Sequence, residues 1–216
     1  MTRLPWILTA LLTCGGCGED SGSGRAGDDA DEEGAEGDPP TPQESCPVAP
    51  ATTVPLLTGG GDVALHWPLD KGCLGVTYTA EAAPFLEQIN EALAAWSAVE
   101  CSRLCLEAPA QVSAEQDADG TRHRLRFTAG GELTRSTPQA DGPTGVLVFG
   151  HVNIAAGAPP TTRSLIAAIG LLLGLGRPSA QGVDSVMHQT AASATPSAAD
   201  ADALCALYGT PGYCQD

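Results

Sequence analysis

Positive charge is scarce in this 216-residue chain, where 10 Lys and Arg stand against 26 Asp and Glu for a formal net charge of -16. A duplex binder needs a Lys/Arg surface to release condensed counterions, so nucleic acid is excluded as a partner. Long hydrophobic runs are also missing. The apolar run from Leu4 to Leu12 falls well short of the about 20 residues that a membrane-spanning helix needs. Histidine is rare: His66, His123, His151 and His188 are the only four, and no two stand three or four apart. No helix face can therefore offer two imidazoles to one metal ion. There is no G-x-S-x-G nucleophile elbow, and a serine or cysteine nucleophile would need a histidine within reach. Gly59-Gly60-Gly61 is followed by Asp62 rather than by the Lys and helix of a phosphate-binding loop. No internal repeat is visible.

What is present divides the chain into three parts. Residues 1–17, MTRLPWILTALLTCGGC, carry a basic residue at Arg3, an apolar stretch, then small residues and cysteines. This is the pattern of an export signal. Cys14 and Cys17 both stand where bacterial lipoprotein signals place the lipid-bearing cysteine, Cys14 with leucines upstream and Cys17 with small residues. Lipidation at Cys14 or Cys17 is expected, the alternative being a simple cleaved signal peptide. Residues 18–45 are Gly, Ser, Asp, Glu and Pro with almost no apolar residue, a composition that cannot offset its conformational entropy by burial. They read as a disordered acidic tether between a membrane anchor and a folded domain. Residues 46–216 form one domain, since 43% hydrophobic residues support a single core. The expected location is the cell envelope, as a monomer touching the membrane through a lipid anchor only.

Export places Cys46, Cys73, Cys101, Cys105, Cys205 and Cys214 in an oxidising compartment, where an even set reads as disulfides. Proximity in sequence favours Cys101 with Cys105 and Cys205 with Cys214, leaving Cys46 with Cys73. Zinc on Cys101-Ser-Arg-Leu-Cys105 is the alternative, disfavoured because no histidine or second close cysteine pair lies beside it.

Within the domain, Cys73 to Thr79 reads as a strand, and Ala82 to Glu100 as an amphipathic helix with Phe85, Leu86, Ile89, Leu93 and Trp96 at helical spacing. Cys105-Leu-Glu and His123 to Thr128 read as short strands, Ala129 to Gly145 as a surface loop, and Val146 to Ile154 as a buried strand. A second helix is expected from about Thr161 to Leu173, stopped by Gly174 and Gly176. The last helix opens on the capping box Ser197-Ala-Ala-Asp200 and ends at Gly209.

Taken together, a strand, a helix ending in Ala95-Trp-Ser-Ala-Val-Glu-Cys101, several strands, the Gly174-Leu-Gly176 helix end, Ser185-Val-Met187 and a helix closing on Ala206-Leu-Tyr-Gly209 resemble the matrixin-like branch of the metzincin metalloproteases. The resemblance covers about Trp67 to Gly209. It implies an α/β (α+β) fold, a twisted mixed sheet of four to five strands with two long helices and a small C-terminal helix. In that family a helix carries H-E-x-x-H-x-x-G-x-x-H, two histidines four apart binding zinc, a glutamate polarising its water, and a third histidine beyond a glycine turn.

Written over SLIAAIGLLLGLGRP, the pattern puts the first ligand on Ala167, the base on Ala168, the second ligand on Leu171 and the third on Arg177; only Gly174 matches. Met187 matches the family's methionine turn. No cofactor is expected, and the reading is an inactive homologue that meets a peptide or protein in the former cleft. The alternatives are a zinc peptidase with unorthodox ligands, such as His151 with His188, or a purely structural surface lipoprotein. If the metal tie is gone, Leu171 packing beneath Met187 and three disulfides are expected to replace it.

Overall fold

The computed structural model describes residues 48–113, 123–131, 134–141, 144–157, 159–180, 182–188, 190, 193–210 and 213. All belong to one compact unit, Gln43–Asp216. The export signal with Cys14 and Cys17, the acidic tether, and Cys46 and Cys214 lie outside the described residues.

The described elements, in chain order, are β1 (Gly75–Tyr78), α1 (Leu86–Ser97), β2 (Ala110–Gln111), β3 (Arg124–Gly131), β4 (Arg135–Asp141), β5 (Val146–Ala155), α2 (Thr162–Leu172) and α3 (Ala198–Tyr208). The five strands form one mixed sheet in the order β2-β1-β3-β5-β4. β2, β1, β3 and β5 run parallel to their neighbours, and β4 alone is antiparallel, paired to β5 at one edge. The fold is thus mixed α/β, with a five-stranded mixed sheet and three α-helices among the described residues.

Alternation along the strands decides which sheet face receives the helices. Leu125, Phe127, Val152 and Ile154 are buried in one cluster with Ile89, Leu93 and Trp96 of α1 and Leu165, Ile166, Ile169 and Leu172 of α2. Gly150 lies on that same face, where an added Cβ would meet Leu125 Cδ2 at 2.7 Å and Leu172 Cδ1 at 3.2 Å. The missing side chain lets α2 lie close on β5. His151, the next residue, therefore points to the opposite face.

Two segments depart from the sequence expectation. Ala129 to Gly145 is not simply a loop: β3 runs through Gly131, and Arg135–Asp141 is the antiparallel edge strand. Its composition, Arg-Ser-Thr-Pro-Gln-Ala-Asp, offers no apolar face, because an edge strand needs only backbone pairing on one side and tolerates proline there. Secondly, Cys105-Leu-Glu contributes only an isolated bridge between Leu106 and Leu74, while the strand beside β1 is Ala110–Gln111. The first helix is also shorter than expected. Ala80–Phe85 forms a 3-10 turn containing Pro84, and α-geometry begins at Leu86.

Both described disulfides overturn the pairing by proximity. Cys73 joins Cys105 and Cys101 joins Cys205, across sequence separations of 32 and 104 residues. Cys101 and Cys105 face different partners because the backbone beside each is tied to a different element: the amide of Arg103 donates to the carbonyl of Tyr208, the last residue of α3, whereas that of Leu74 donates to the carbonyl of Cys105 beside β1. The cysteines are engaged as disulfides, which removes the zinc alternative at Cys101 and Cys105.

Candidate functional site

Helix α2 is the element on which the sequence placed its site. Thr161 caps it, its hydroxyl accepting from the Ser164 amide at 3.1 Å. The Thr162 hydroxyl donates to Glu91 of α1 at 2.7 Å, and an Arg163 Nη donates to the His188 carbonyl at 2.8 Å. Leu165, Ile166, Ala168, Ile169, Gly170 and Leu172 are buried, while Arg163, Ser164, Ala167 and Leu171 form a half-exposed stripe. Ala167 and Leu171, four apart, share one face of the helix.

The helix ends in a Schellman turn. The Leu175 amide donates back to the Gly170 carbonyl at 2.9 Å and the Gly174 amide to the Leu171 carbonyl at 3.2 Å, with Gly174 at φ 91. A Cβ on Gly174 would stand 2.1 Å from the Leu65 carbonyl oxygen, so both space and backbone conformation require glycine there. Last-turn carbonyls also receive side-chain donors: Trp67 Nε1 to Leu172 at 2.8 Å and the Tyr208 hydroxyl to Leu173 at 2.9 Å. Beyond the turn, Gly176 donates to the Pro55 carbonyl and Leu57 to the Gly174 carbonyl, stitching an N-terminal strap onto the segment that leads to Arg177. Arg177 itself is exposed.

Met187 is buried. What lies against its sulfur is Gly170: a Cβ there would meet Met187 Sδ at 2.4 Å and Trp96 Cζ2 at 2.8 Å. The expected seat, Leu171, is instead on the half-buried stripe. The turn carrying Met187 is held by Asp200, which is fully buried. Its carboxylate accepts from the Ser185 hydroxyl, from the Val186 amide at 2.8 Å and from the Ser197 amide at 2.8 Å. Ser185 Oγ in turn accepts the Met187 amide at 3.0 Å.

In the sequence Asp200 is legible only as the last residue of the capping box Ser197-Ala-Ala-Asp200. The capping-box spacing was its sole signal, and the reach to residues 185 and 186 is a tertiary fact.

The histidines do not converge. His151 Nε2 is 2.8 Å from Thr128 Oγ1, whose own proton goes to Asn153 Oδ1 at 3.1 Å, so the imidazole donates to the threonine. This pair lies on the sheet face away from α2. Burial holds the His151 pKa below its ordinary value, helped by nearby Arg126. His188 follows Met187, and its Nδ1 accepts from the Thr190 amide at 3.3 Å. His66 is buried, donating from Nδ1 to the Ala64 carbonyl at 2.9 Å, and its pKa is lowered by burial against the opposing pull of that carbonyl. Among the described residues no group of three or more His, Cys, Asp or Glu is placed to hold a metal ion.

Zinc does not fit the residues at the four positions that the resemblance assigns to ligands and base, Ala167, Ala168, Leu171 and Arg177. Two alanines and a leucine have no donor atoms, and a guanidinium is a permanent cation that repels a dication. What the arrangement does offer is a half-exposed stripe on α2, a helix that also contacts the edge strand β4, the last strand of the sheet. No model of a known protein family and no curated protein matches the chain.

Proposed function

We propose that this chain is an exported, lipid-anchored pseudoprotease with a matrixin-like scaffold, which binds an extended peptide or protein segment along the edge strand β4 beside α2. The observation that carries the reading is the seating of Met187 on Gly170, one turn before the Gly174 turn. A helix, a glycine turn and a methionine support are all present, while the positions that would hold metal and base are Ala167, Ala168, Leu171 and Arg177. The outer edge of β4 suits a peptide added as a further strand, where main-chain hydrogen bonds supply affinity and side-chain pockets supply selectivity. Export is supported by the two disulfides, which are compatible with an extracellular protein. No helix among the described residues is long and apolar enough to cross a membrane.

The test is elemental analysis of the dialysed protein with casein and gelatin as substrates: less than a tenth of a zinc ion per chain and no cleavage are expected. One zinc per chain, or metal-dependent cleavage, overturns the reading. Combined A167H, A168E, L171H and R177H should confer zinc binding if the helix and turn keep the ancestral frame. A photo-crosslinking residue at position 171 should capture extended peptides, whereas the same group at exposed Val48 should not. Radiolabelled palmitate should enter the full-length protein in a bacterial host and be absent when Cys14 and Cys17 are both serine.

A further inference from the structure

β5 lies between β3 and β4, and one row across these three strands is Arg126, His151 and Thr137, each the Cα partner of the next. The adjoining row is Thr128, Asn153 and Arg135. Leu125, Phe127, Val152 and Ile154 alternate with these positions and are buried in the cluster shared with α1 and α2, so both rows lie on the sheet face away from those helices. None of the six side chains is fully buried, and Arg135 and Thr137 are exposed. In a chain with only 10 Lys and Arg against 26 acidic residues, two guanidinium groups flank one imidazole here. Arg126 stands directly across from His151 at a strand spacing of about 5 Å, and Arg135 on the diagonal at about 7–8 Å, within reach of a long side chain.

The sheet itself does not balance this charge. Arg126 acts on His151 as a neighbouring cation, and no carboxylate acts on that ring in the opposite sense. The described carboxylates of the region, Glu107 and Asp141, stand by Gly75 and opposite Val146, toward the start of β5 and away from His151. Among the described residues no carboxylate lies within ion-pair distance of Arg135. The imidazole is also held in place, its Nε2 donating to Thr128 Oγ1 at 2.8 Å while that hydroxyl donates to Asn153 Oδ1 at 3.1 Å. Nδ1 is the nitrogen left for a ligand.

We propose that Arg126, His151 and Arg135, with the Thr137 hydroxyl, form a binding site for a sulfate or phosphate group. A tetrahedral oxyanion accepts from several donors at once, and a guanidinium suits it because its fork offers two parallel N–H donors. The anion supplies the charge that this face lacks. Binding puts a proton from solvent on His151 Nδ1, so that both ring nitrogens donate, Nε2 to Thr128 and Nδ1 to the anion. The site is separate from the α2 stripe and does not rest on the pseudoprotease reading.

The experiment follows the histidine ring signals of the full chain by NMR while sodium sulfate is added, with ionic strength held constant by chloride and His66 and His188 as internal controls. Sulfate does not titrate near neutral pH, so any pH dependence belongs to the protein. A saturable shift confined to His151 is expected, and the pH at which His151 titrates should rise by about one unit at saturation. By reciprocity, sulfate then binds about tenfold more tightly to the charged ring than to the neutral one. Arg135→Gln, at an exposed edge position, should weaken binding about tenfold without disturbing the fold, and Arg126→Gln should weaken it as much. Glycerol phosphate distinguishes the sources: tighter binding than inorganic phosphate assigns the group to a phosphate ester, and equal or weaker binding assigns it to the free ion. No shift beyond that given by chloride, equal shifts at His66 and His188, or undiminished binding by both arginine variants would overturn the inference.

Discussion

Asp200 holds the Val186 amide: its Oδ2 accepts that N–H at 2.8 Å from the first turn of α3, across 14 residues of chain. The same buried carboxylate takes the Ser185 hydroxyl and the Ser197 amide. One side chain therefore caps a helix and fixes the turn that seats Met187. Asp200→Ala leaves the buried Val186 amide, the part-buried Ser197 amide and the Ser185 hydroxyl without this acceptor, costing on the order of 3 kcal/mol. A domain of this size loses about 2–4 °C of melting temperature per kcal/mol. Calorimetry should show a clear fall, with Ser197→Ala, which removes the cap on the Asp200 amide and a hydroxyl bond to the Asp184 carbonyl but leaves the Met187 turn held, falling by about 1 kcal/mol. Equal effects of the two changes would deny Asp200 its role at the Met187 turn.

Gly174→Ala should be more damaging than Gly170→Ala. At Gly174 a side chain meets the Leu65 backbone at a positive φ; the conformation alone costs about 1–3 kcal/mol, and the carbonyl cannot move aside. At Gly170 the nearest atom is the flexible sulfur of Met187, though the Trp96 ring behind it is stiff. Urea midpoints of the two variants give the order directly.

Leu171 should matter less than its neighbour. It is half-buried on the open stripe, whereas Leu172 is fully buried under β5 and Gly150. Leu172→Ala is expected to cost about 2–5 kcal/mol and Leu171→Ala clearly less. If the two cost the same, position 171 is core, and α2 offers peptide no open stripe beside β4.

Reductant should lower the melting temperature, and a chelator should leave it unchanged. The loop closed by Cys101–Cys205 is the longer, 104 residues against 32 for Cys73–Cys105. On chain-entropy grounds its loss should cost about 1 kcal/mol more. The paired serine variants C101S with C205S and C73S with C105S test this by thermal melts, and a chelator-sensitive melt would reveal a metal that the described residues do not provide.

Acid should destabilise the fold below about pH 6.5. His66 and His151 both have lowered pKa values, in each case first because burial disfavours the cation. An unfolded histidine has its ordinary value near 6.5, so the unfolded chain binds more protons as pH falls. Stability is therefore full above about 6.5 and declines as pH drops through the folded values. His151→Gln, which can still donate to Thr128, should make the decline shallower between pH 7 and 5. A urea midpoint that rises on acidification over this range contradicts the assignment.

Local chemistry was legible along the chain. Helix periodicity placed Trp96 on a buried face, Ser197 to Asp200 announced a cap, and Gly174 marked a helix end, because each depends on residues within a turn or two of one another. The near-continuous apolar run Val146 to Ile154 likewise read as a buried strand. The absence of any imidazole or carboxylate at Ala167, Ala168, Leu171 and Arg177 was also a property of the sequence alone, since no folding can supply a side chain that those positions lack. Tertiary structure decided the rest. The partners of Cys101 and Cys105, the edge strand with no apolar residue except Ala140, the seat of Met187 on Gly170 and the second duty of Asp200 all join positions far apart in sequence. Such contacts depend on which surfaces meet when the helices cover the sheet, and a linear pattern carries no record of that meeting.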